Sequence, residues 1–295
     1  MSRVFRLKMA RQEAEAFLKR EGIATLPVDP FAIAAKLDIA VEGKLADTEG
    51  VSGMLLRHGN NFGIIYATNI PNEGFQRFSV SHELGHYLLP GHPEQVIQNG
   101  MHISRAGFVT NDPYELEADH FAAGLLMPET PFRKEMNRYD PGLDAVEALA
   151  DHCKTSRTAT AIRFAELSRD AVAVIVSTGG IINYCFLSEA MKTLPQLGYL
   201  RKGTKLPAGT ATASFTANVA RVHAGERIAD AVDVRDWLGG TKKAEVSEET
   251  IGLGRYGKVL TILASSSIGQ DDEADDSADD DEEQVVERWT PRFRK

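Results

Sequence analysis

Cysteine is nearly absent from this chain: 295 residues contain two, Cys153 and Cys185. Two thiols make neither a disulfide framework nor a Cys-type zinc site. No run of about 18 apolar residues occurs, and the opening MSRVFRLKMARQEAEAF has no apolar core of signal-peptide length. The chain therefore reads as cytoplasmic, with no membrane partner. A basic surplus is absent as well. The net charge is −9, but the run DDEADDSADDDEE, Asp271 to Glu283, supplies ten acidic residues, and without them the remainder is near +1. A near-neutral body gives no global electrostatic case for nucleic-acid binding. No internal repeat is evident.

What is present is ordinary globular material, 43% hydrophobic and 25% charged, enough for one large or two modest domains. Its organising stretch is FSVSHELGHYLLPGH, Phe78 to His92, which contains the H-E-x-x-H of His82, Glu83 and His86. Phe75, Phe78, Ser79, His82, His86 and Leu89 recur at three and four residues, and Pro90-Gly91 ends the run, so a helix is expected. Residues four apart lie on one helical face, so both histidines can reach one metal ion. Glu83 is then placed to hold a water on that metal and take its proton. Zinc suits the pattern, since its catalytic sites use three protein ligands and leave one position open. The apolar frame predicts a buried helix, and Gly85 inside it needs a packing or access reason.

Before this stretch, Phe5 to Arg20 reads as an amphipathic helix stopped by Gly22. Asp29-Pro30 reads as a cap and first-turn proline of a helix through Leu37. Ile39 to Glu42 is a strand candidate, and Val51 to Arg57 with Phe62 to Thr68 reads as a hairpin turning at His58 to Asn61. An exposed edge of that hairpin could pair with an extended substrate, or the hairpin could merely cover the helix. Residues 93–111 read as irregular, a loop flanking a substrate cleft. Asp112-Pro113 opens another helix, YELEADHFAAGLLMP. Glu115 and Asp119 share one face of it with Ala118 and Ala122. Glu115 is the chosen third ligand, and Asp119 a candidate to accept a hydrogen bond from a ligand histidine. Glu117, the competing carboxylate, lies about 200° around the helix and is expected to face solvent.

RFSVSHELGHYLL followed by ELEADHFAAGLLMP resembles the ImmA/IrrE family of metallopeptidases, with 29 residues separating His86 from Glu115. The opening GIATLPVDPFAIAAKLDIAV also resembles the family's start, and the likeness spans roughly residues 10–168. It implies an α+β, zincin-like fold, one Zn2+ held by His82, His86 and Glu115, and Glu83 as general base. It also implies a protein substrate, a helix-turn-helix repressor or antitoxin-like partner, cleaved to derepress genes in stress response or mobile-element transfer. The tetrahedral oxyanion would need a further donor; Tyr87 and Tyr114 are near in sequence.

Leu143 to Leu167 reads as two helices around Lys154-Thr155-Ser156, helix-turn-helix in pattern, with Arg157 and Arg163 on the second. A DNA reader usually carries a denser basic face, so closure of the peptidase core is the preferred role. The domain plan is residues 1–168 for the zinc domain with its helical closure, 169–268 for a smaller α+β domain, and 269–295 for a disordered acidic tail ending in the basic aromatic ERWTPRFRK. Strands are expected at 171–177, 181–187, 210–219, 244–251 and 258–265; residues 227–238 could be a helix or a strand with a turn. Cys185 is read as buried packing. No nucleotide loop appears in this region, and control of the zinc site is its expected task. Two other functions compete: a non-cleaving protein that binds a repressor or toxin, and a DNA-binding regulator acting through residues 143–167.

Overall fold

The computed structural model describes residues 3–45, 50–105, 112–198, 200–266 and 268. The acidic run, the basic aromatic end and residues 106–111 lie outside the described residues. The described chain divides into two compact units, one built from residues up to 134 with 150–156, the other from 135–149 with 157 onward. No helix among the described residues is long and apolar enough to cross a membrane.

The first unit begins with helix α1 (Arg3–Arg20), which buries Leu7, Ala10, Ala14, Phe17 and Leu18 along one side. Gly22, with φ of +71°, turns the chain out of it. At helix α2 (Pro30–Lys36) the Asp29 carboxylate accepts from the N–H groups of Phe31 and Ala32. Three strands precede the motif helix: β1 (Ala40–Lys44), β2 (Val51–His58) and β3 (Asn61–Ala67). Asn72 then caps helix α3 (Glu73–Leu88), accepting from the N–H of Phe75.

Residues 93–111, expected to be irregular, contain ordered elements. Helix α4 (His92–Val96) follows α3 directly, and strand β4 (Met101–Arg105) pairs antiparallel with β2, His102 opposite Leu55. A five-residue strand with His, Ser and Arg in it carries little local signal; its partner β2 supplies the stability. The sheet order is β1-β3-β2-β4, with β1 parallel to β3 and the rest antiparallel. The hairpin strand β2 is therefore interior, and among the described residues the edge nearest the motif is β4.

Helix α5 (Pro113–Leu126) starts where Asp112 accepts from the Tyr114 N–H. α3 packs on β2 and β3 on one side and on α5 on the other, while α5 also packs on α1. Phe17, Leu18, Leu55, Ile64, Val80, Leu84, Phe121 and Leu125 fill the space between them. Two glycines set the helix spacing. A Cβ on Gly85 would meet the Ala118 Cα and a Phe121 ring carbon, both at 3.2 Å, which is the packing reason for a glycine inside α3. A Cβ on Gly124 would meet the Arg11 Cγ at 2.7 Å and its carbonyl oxygen at 2.9 Å.

Helices α6 (Glu129–Met136) and α7 (Leu143–Cys153) contain the passages between units, and α8 (Arg157–Leu167) belongs to the second. The second unit is an antiparallel sheet of β5 (Ala171–Thr178), β6 (Ile181–Leu187), β7 (Arg227–Asp233), β8 (Glu245–Gly252) and β9 (Lys258–Ser265), in the order β6-β5-β9-β8-β7. Gly179 and Gly180, both at positive φ, turn β5 into β6. Glu249 of β8 accepts from the Leu143 N–H at 3.0 Å, and Arg227 of β7 bonds Asp144 and Glu147. The start of α7 is thus tied to the sheet edge.

Short helices α9 (Glu189–Lys192), α10 (Ala211–Thr216), α11 (Val219–Ala224) and α12 (Val234–Leu238) accompany this sheet. The expected strand at 210–219 is thus two helices. The Thr210 hydroxyl caps the Ala213 N–H and the Asn218 side chain caps the Arg221 N–H. Thr212 is drawn inward, donating its N–H and hydroxyl to the buried Glu248 carboxylate, both at 2.6 Å. Those tertiary bonds outweigh the β propensity of threonine. Residues 227–238 are a strand followed by a turn of helix. Burial pushes the Cys185 thiol up to about 12, leaving it protonated and poorly nucleophilic.

The glycine contacts make a prediction. Gly124→Ala gains up to about 1 kcal/mol of helix propensity but forces α1 away from α5, at a cost of about 1–3 kcal/mol. Thermal unfolding should show a lower midpoint than wild type. A raised midpoint would refute the close approach.

Candidate metal centre

His82 and His86, one turn apart on α3, point their Nε2 atoms at each other across 3.0 Å. Glu115, in the first turn of α5, brings Oε2 to 3.4 Å from His82 Nε2 and Oε1 to 3.4 Å from His86 Nε2. One ligand atom from each of the three residues lies within 4.8 Å of the others. The small residues at the α3–α5 crossing permit this: Gly85 sits against Ala118, three residues on from Glu115. Asp119, one turn beyond Glu115, has Oδ1 at 2.8 Å from His82 Nδ1.

The hydrogen count favours a cation in this cluster. A neutral imidazole has one N–H and one lone pair. With His82 Nδ1–H directed at Asp119, its Nε2 presents a lone pair to a carboxylate and to a second imidazole. Three lone-pair donors converging in a buried place repel one another unless a proton or a metal ion lies between them. Two imidazoles and one carboxylate are a donor set that divalent transition metals accept.

The charges respond accordingly. Burial alone would lower His82, but Asp119 and Glu115 outweigh it and hold it well above the usual histidine range. Burial pushes His86 down to about 3. Burial would raise Glu115, yet His102, His82 and His86 hold it far below the carboxylate range. Asp119 is raised by burial, against the pull of His82.

Glu83 is 0% exposed, and its carboxylate oxygens lack a hydrogen bond of ordinary geometry among the described residues, with the buried Ser104 hydroxyl the nearest donor. Burial pushes it up to about 7, against the attraction of His82. It extends toward β2, where a Cβ on Gly53 would fall 2.6 Å from Glu83 Oε1. Gly53 is the space that this carboxylate occupies.

Two residues around the cluster, His102 and His92, escaped the sequence reading, and a third, Glu117, is placed differently from its expectation. His102, on β4, places Nε2 at 2.9 Å from Glu115 Oε1 and its ring edge-on to His86 at 4.4 Å. Burial would lower it, but Glu115 and Glu83 outweigh that and raise it. No sequence signal could have linked His102 to the motif, because only the β2–β4 register brings it there. His92 places Nδ1 at 3.3 Å from His86 Nδ1 and Nε2 at 3.2 Å from Glu117 Oε2. Glu117 does not face solvent as expected: its side chain is 13% exposed and ion-paired to Arg6. The angle around α5 was sound, but α1 and α4 cover that side. Tyr87 packs edge-on against Phe62, and Tyr114 against His92.

Residues 34–165 match the family model of the IrrE N-terminal-like domain, Peptidase_M78. That span is similar to an IrrE N-terminal-like domain. The matched span includes His82, Glu83, His86, His92, His102, Glu115, Glu117 and Asp119, but not α1 with Arg6. No curated protein matches the chain. Among solved structures, a Mycobacterium tuberculosis transcriptional regulator is similar, with a TM-score of 0.54 at 16% identity, covering 87% of this chain and 76% of that one. At that identity the likeness concerns the fold. The match suggests a peptidase-related function for residues 34–165.

The raised Glu83 has a measurable consequence in metal-free protein. A carboxyl raised from 4.5 to about 7 on folding contributes stability below pH 4.5 that is lost as pH rises through 7. Glu83→Gln keeps the neutral form at all pH. Denaturant unfolding with chelator present should find Glu83→Gln more stable than wild type at pH 8, on the order of 1–3 kcal/mol, with the gap closing toward pH 5. A gap independent of pH would show that Glu83 is not held neutral by burial.

Proposed function

We propose that this chain is a zinc-dependent endopeptidase. The observation that carries the reading is the placement of a fully buried Glu83 beside the converging His82, His86 and Glu115. Those three residues would hold the ion, with Asp119 fixing the His82 ring. Bound zinc supplies Lewis acidity toward a peptide carbonyl and lowers the pKa of water. Glu83 takes the proton of the attacking water and returns it to the leaving nitrogen, a task suited to a carboxyl poised near neutrality. Strand β4 turns Met101 and Ile103 outward, 45% and 41% exposed, and as an edge it can pair with an extended substrate backbone.

The substrate we propose is a helix-turn-helix repressor or antitoxin-like protein. The motif resemblance supports it, as does the likeness to a protein described as a transcriptional regulator. A non-cleaving binding protein would leave Glu83 without a task. Action on DNA through residues 143–167 is disfavoured, because Arg163 is 4% exposed and paired with Glu166, while Arg157 is paired with Glu147.

Purified protein should then carry about one zinc per chain, and His86→Ala should lose most of it. Glu115→Ala should also weaken binding. Glu83→Gln should keep zinc while cleaving a candidate repressor slower by several powers of ten. Full zinc occupancy in His86→Ala, or wild-type cutting by Glu83→Gln, defeats the assignment.

Residues 169–295 are proposed to control access to this centre or to present the substrate. Removing residues 269–295 leaves every named strand whole, since β9 ends at Ser265. That truncation should change the cutting rate in a salt-dependent way if the acidic run acts electrostatically. An identical rate at all salt concentrations would rule the tail out.

A further inference from the structure

His86 is 0% exposed, so both its ring nitrogens must find partners inside the protein. Nε2 faces His82 and Glu115. Among the described residues, Nδ1 faces one ring nitrogen, His92 Nδ1 at 3.3 Å. Two Nδ1 atoms at that distance need one proton between them, and its owner decides what His86 can do. If His86 carries the proton on Nδ1, its Nε2 lone pair is free for a cation. If His92 donates instead, His86 Nδ1 is the acceptor, its own proton sits on Nε2, and no cation can be held there.

The neighbours of His92 settle the choice. Its Nε2 lies 3.2 Å from Glu117 Oε2, and Glu117 Oε1 is ion-paired to Arg6 at 2.5 Å. A carboxylate paired with a guanidinium accepts and does not donate. His92 must therefore place its proton on Nε2, which leaves Nδ1 as an acceptor for His86. Tyr114 holds the geometry, with its ring edge-on to His92 at 5.0 Å and the Arg6 guanidinium 5.8 Å from its centroid.

We infer that Arg6, Glu117 and His92 form a positioning chain that sets the tautomer and orientation of His86. Asp119 does the same for His82 with one residue; His86 points the other way and needs three, drawn from α1, α4 and α5. None of the three is among the converging donors His82, His86 and Glu115, so they are positioning residues and not catalytic ones. Arg6 lies outside the span matched by the family model, so this element of the centre comes from the chain's own first helix. The inference rests on the reading of His86 as a metal ligand.

The test uses two arms on the full chain. In the first, 15N NMR of the ring nitrogens of metal-free protein reports where the His86 proton sits. Wild type should show it on Nδ1; in His92→Phe it should move to Nε2, wholly or in part. In the second, competition with a chelator measures zinc affinity. His92→Phe should bind about 10–100-fold more weakly than wild type, and Glu117→Gln, which keeps the shape but not the charge, should weaken it several-fold. Should His92→Phe fail to fold, Glu117→Gln decides both arms. An unmoved His86 proton with zinc affinity within twofold of wild type overturns the chain. If wild-type protein binds no zinc at all, the metal reading fails, and the NMR arm alone then decides whether His92 and Glu117 fix His86.

Discussion

The close crossing of α3 and α5 is the constraint on which the site depends. His82 and His86 belong to one helix and Glu115 to another, 29 residues on from His86. The three can converge only if the helix axes approach to the distance at which Gly85 touches Ala118. A side chain at Gly85, or a larger one at Ala118, would push the carboxylate away from the imidazoles. The same device recurs one layer further out, where Gly124 admits the backbone of α1 against α5. That second contact has a chemical result as well as a packing one. By holding α1 close, it keeps Arg6 within reach of Glu117.

A second theme is proton ownership among buried groups. Four histidines, His82, His86, His92 and His102, lie around two carboxylates that touch them, Glu115 and Glu117, with Asp119 behind. In such a setting no imidazole is free to choose its tautomer, because each unpaired N–H or lone pair would cost the desolvation of a buried polar group. Glu83 is the exception. It is buried, lacks a hydrogen bond of ordinary geometry, and is accommodated by the missing side chain of Gly53. Burial keeps that carboxyl neutral up to about pH 7, the condition that a general base near neutrality needs.

The second unit shows carboxylates used for structure instead. Glu248 and Glu249, adjacent on β8, point to opposite faces of the sheet and each serves a helix start. Glu248 binds the N–H and hydroxyl of Thr212 in α10, while Glu249 binds the N–H of Leu143 in α7. A negative charge at a helix N-terminus is favourable, and one that also fills backbone bonds fixes the helix to the sheet. This explains why a threonine- and alanine-rich run between Thr210 and Val219 is helical.

Local chemistry was legible throughout the chain. The caps at Asp29 and Asp112, the glycine turn at 179–180, the period of the motif helix and the shared face of Glu115 and Asp119 follow from rules acting within four residues, and the structure reproduces that geometry. The sequence by itself determined which residues could act as ligands and which helices would carry them. It could not determine what surrounds them. β4 exists because β2 pairs with it, so His102 was invisible; Glu117 turns inward because α1 and α4 cover its side of α5; Thr212 is helical because Glu248 waits for it across the sheet. Each depends on a partner 25 to 111 residues away, and side-chain periodicity carries no record of such partners. Only the tertiary structure decided those contacts, since burial and hydrogen bonding between distant segments, not local propensity, supply their free energy.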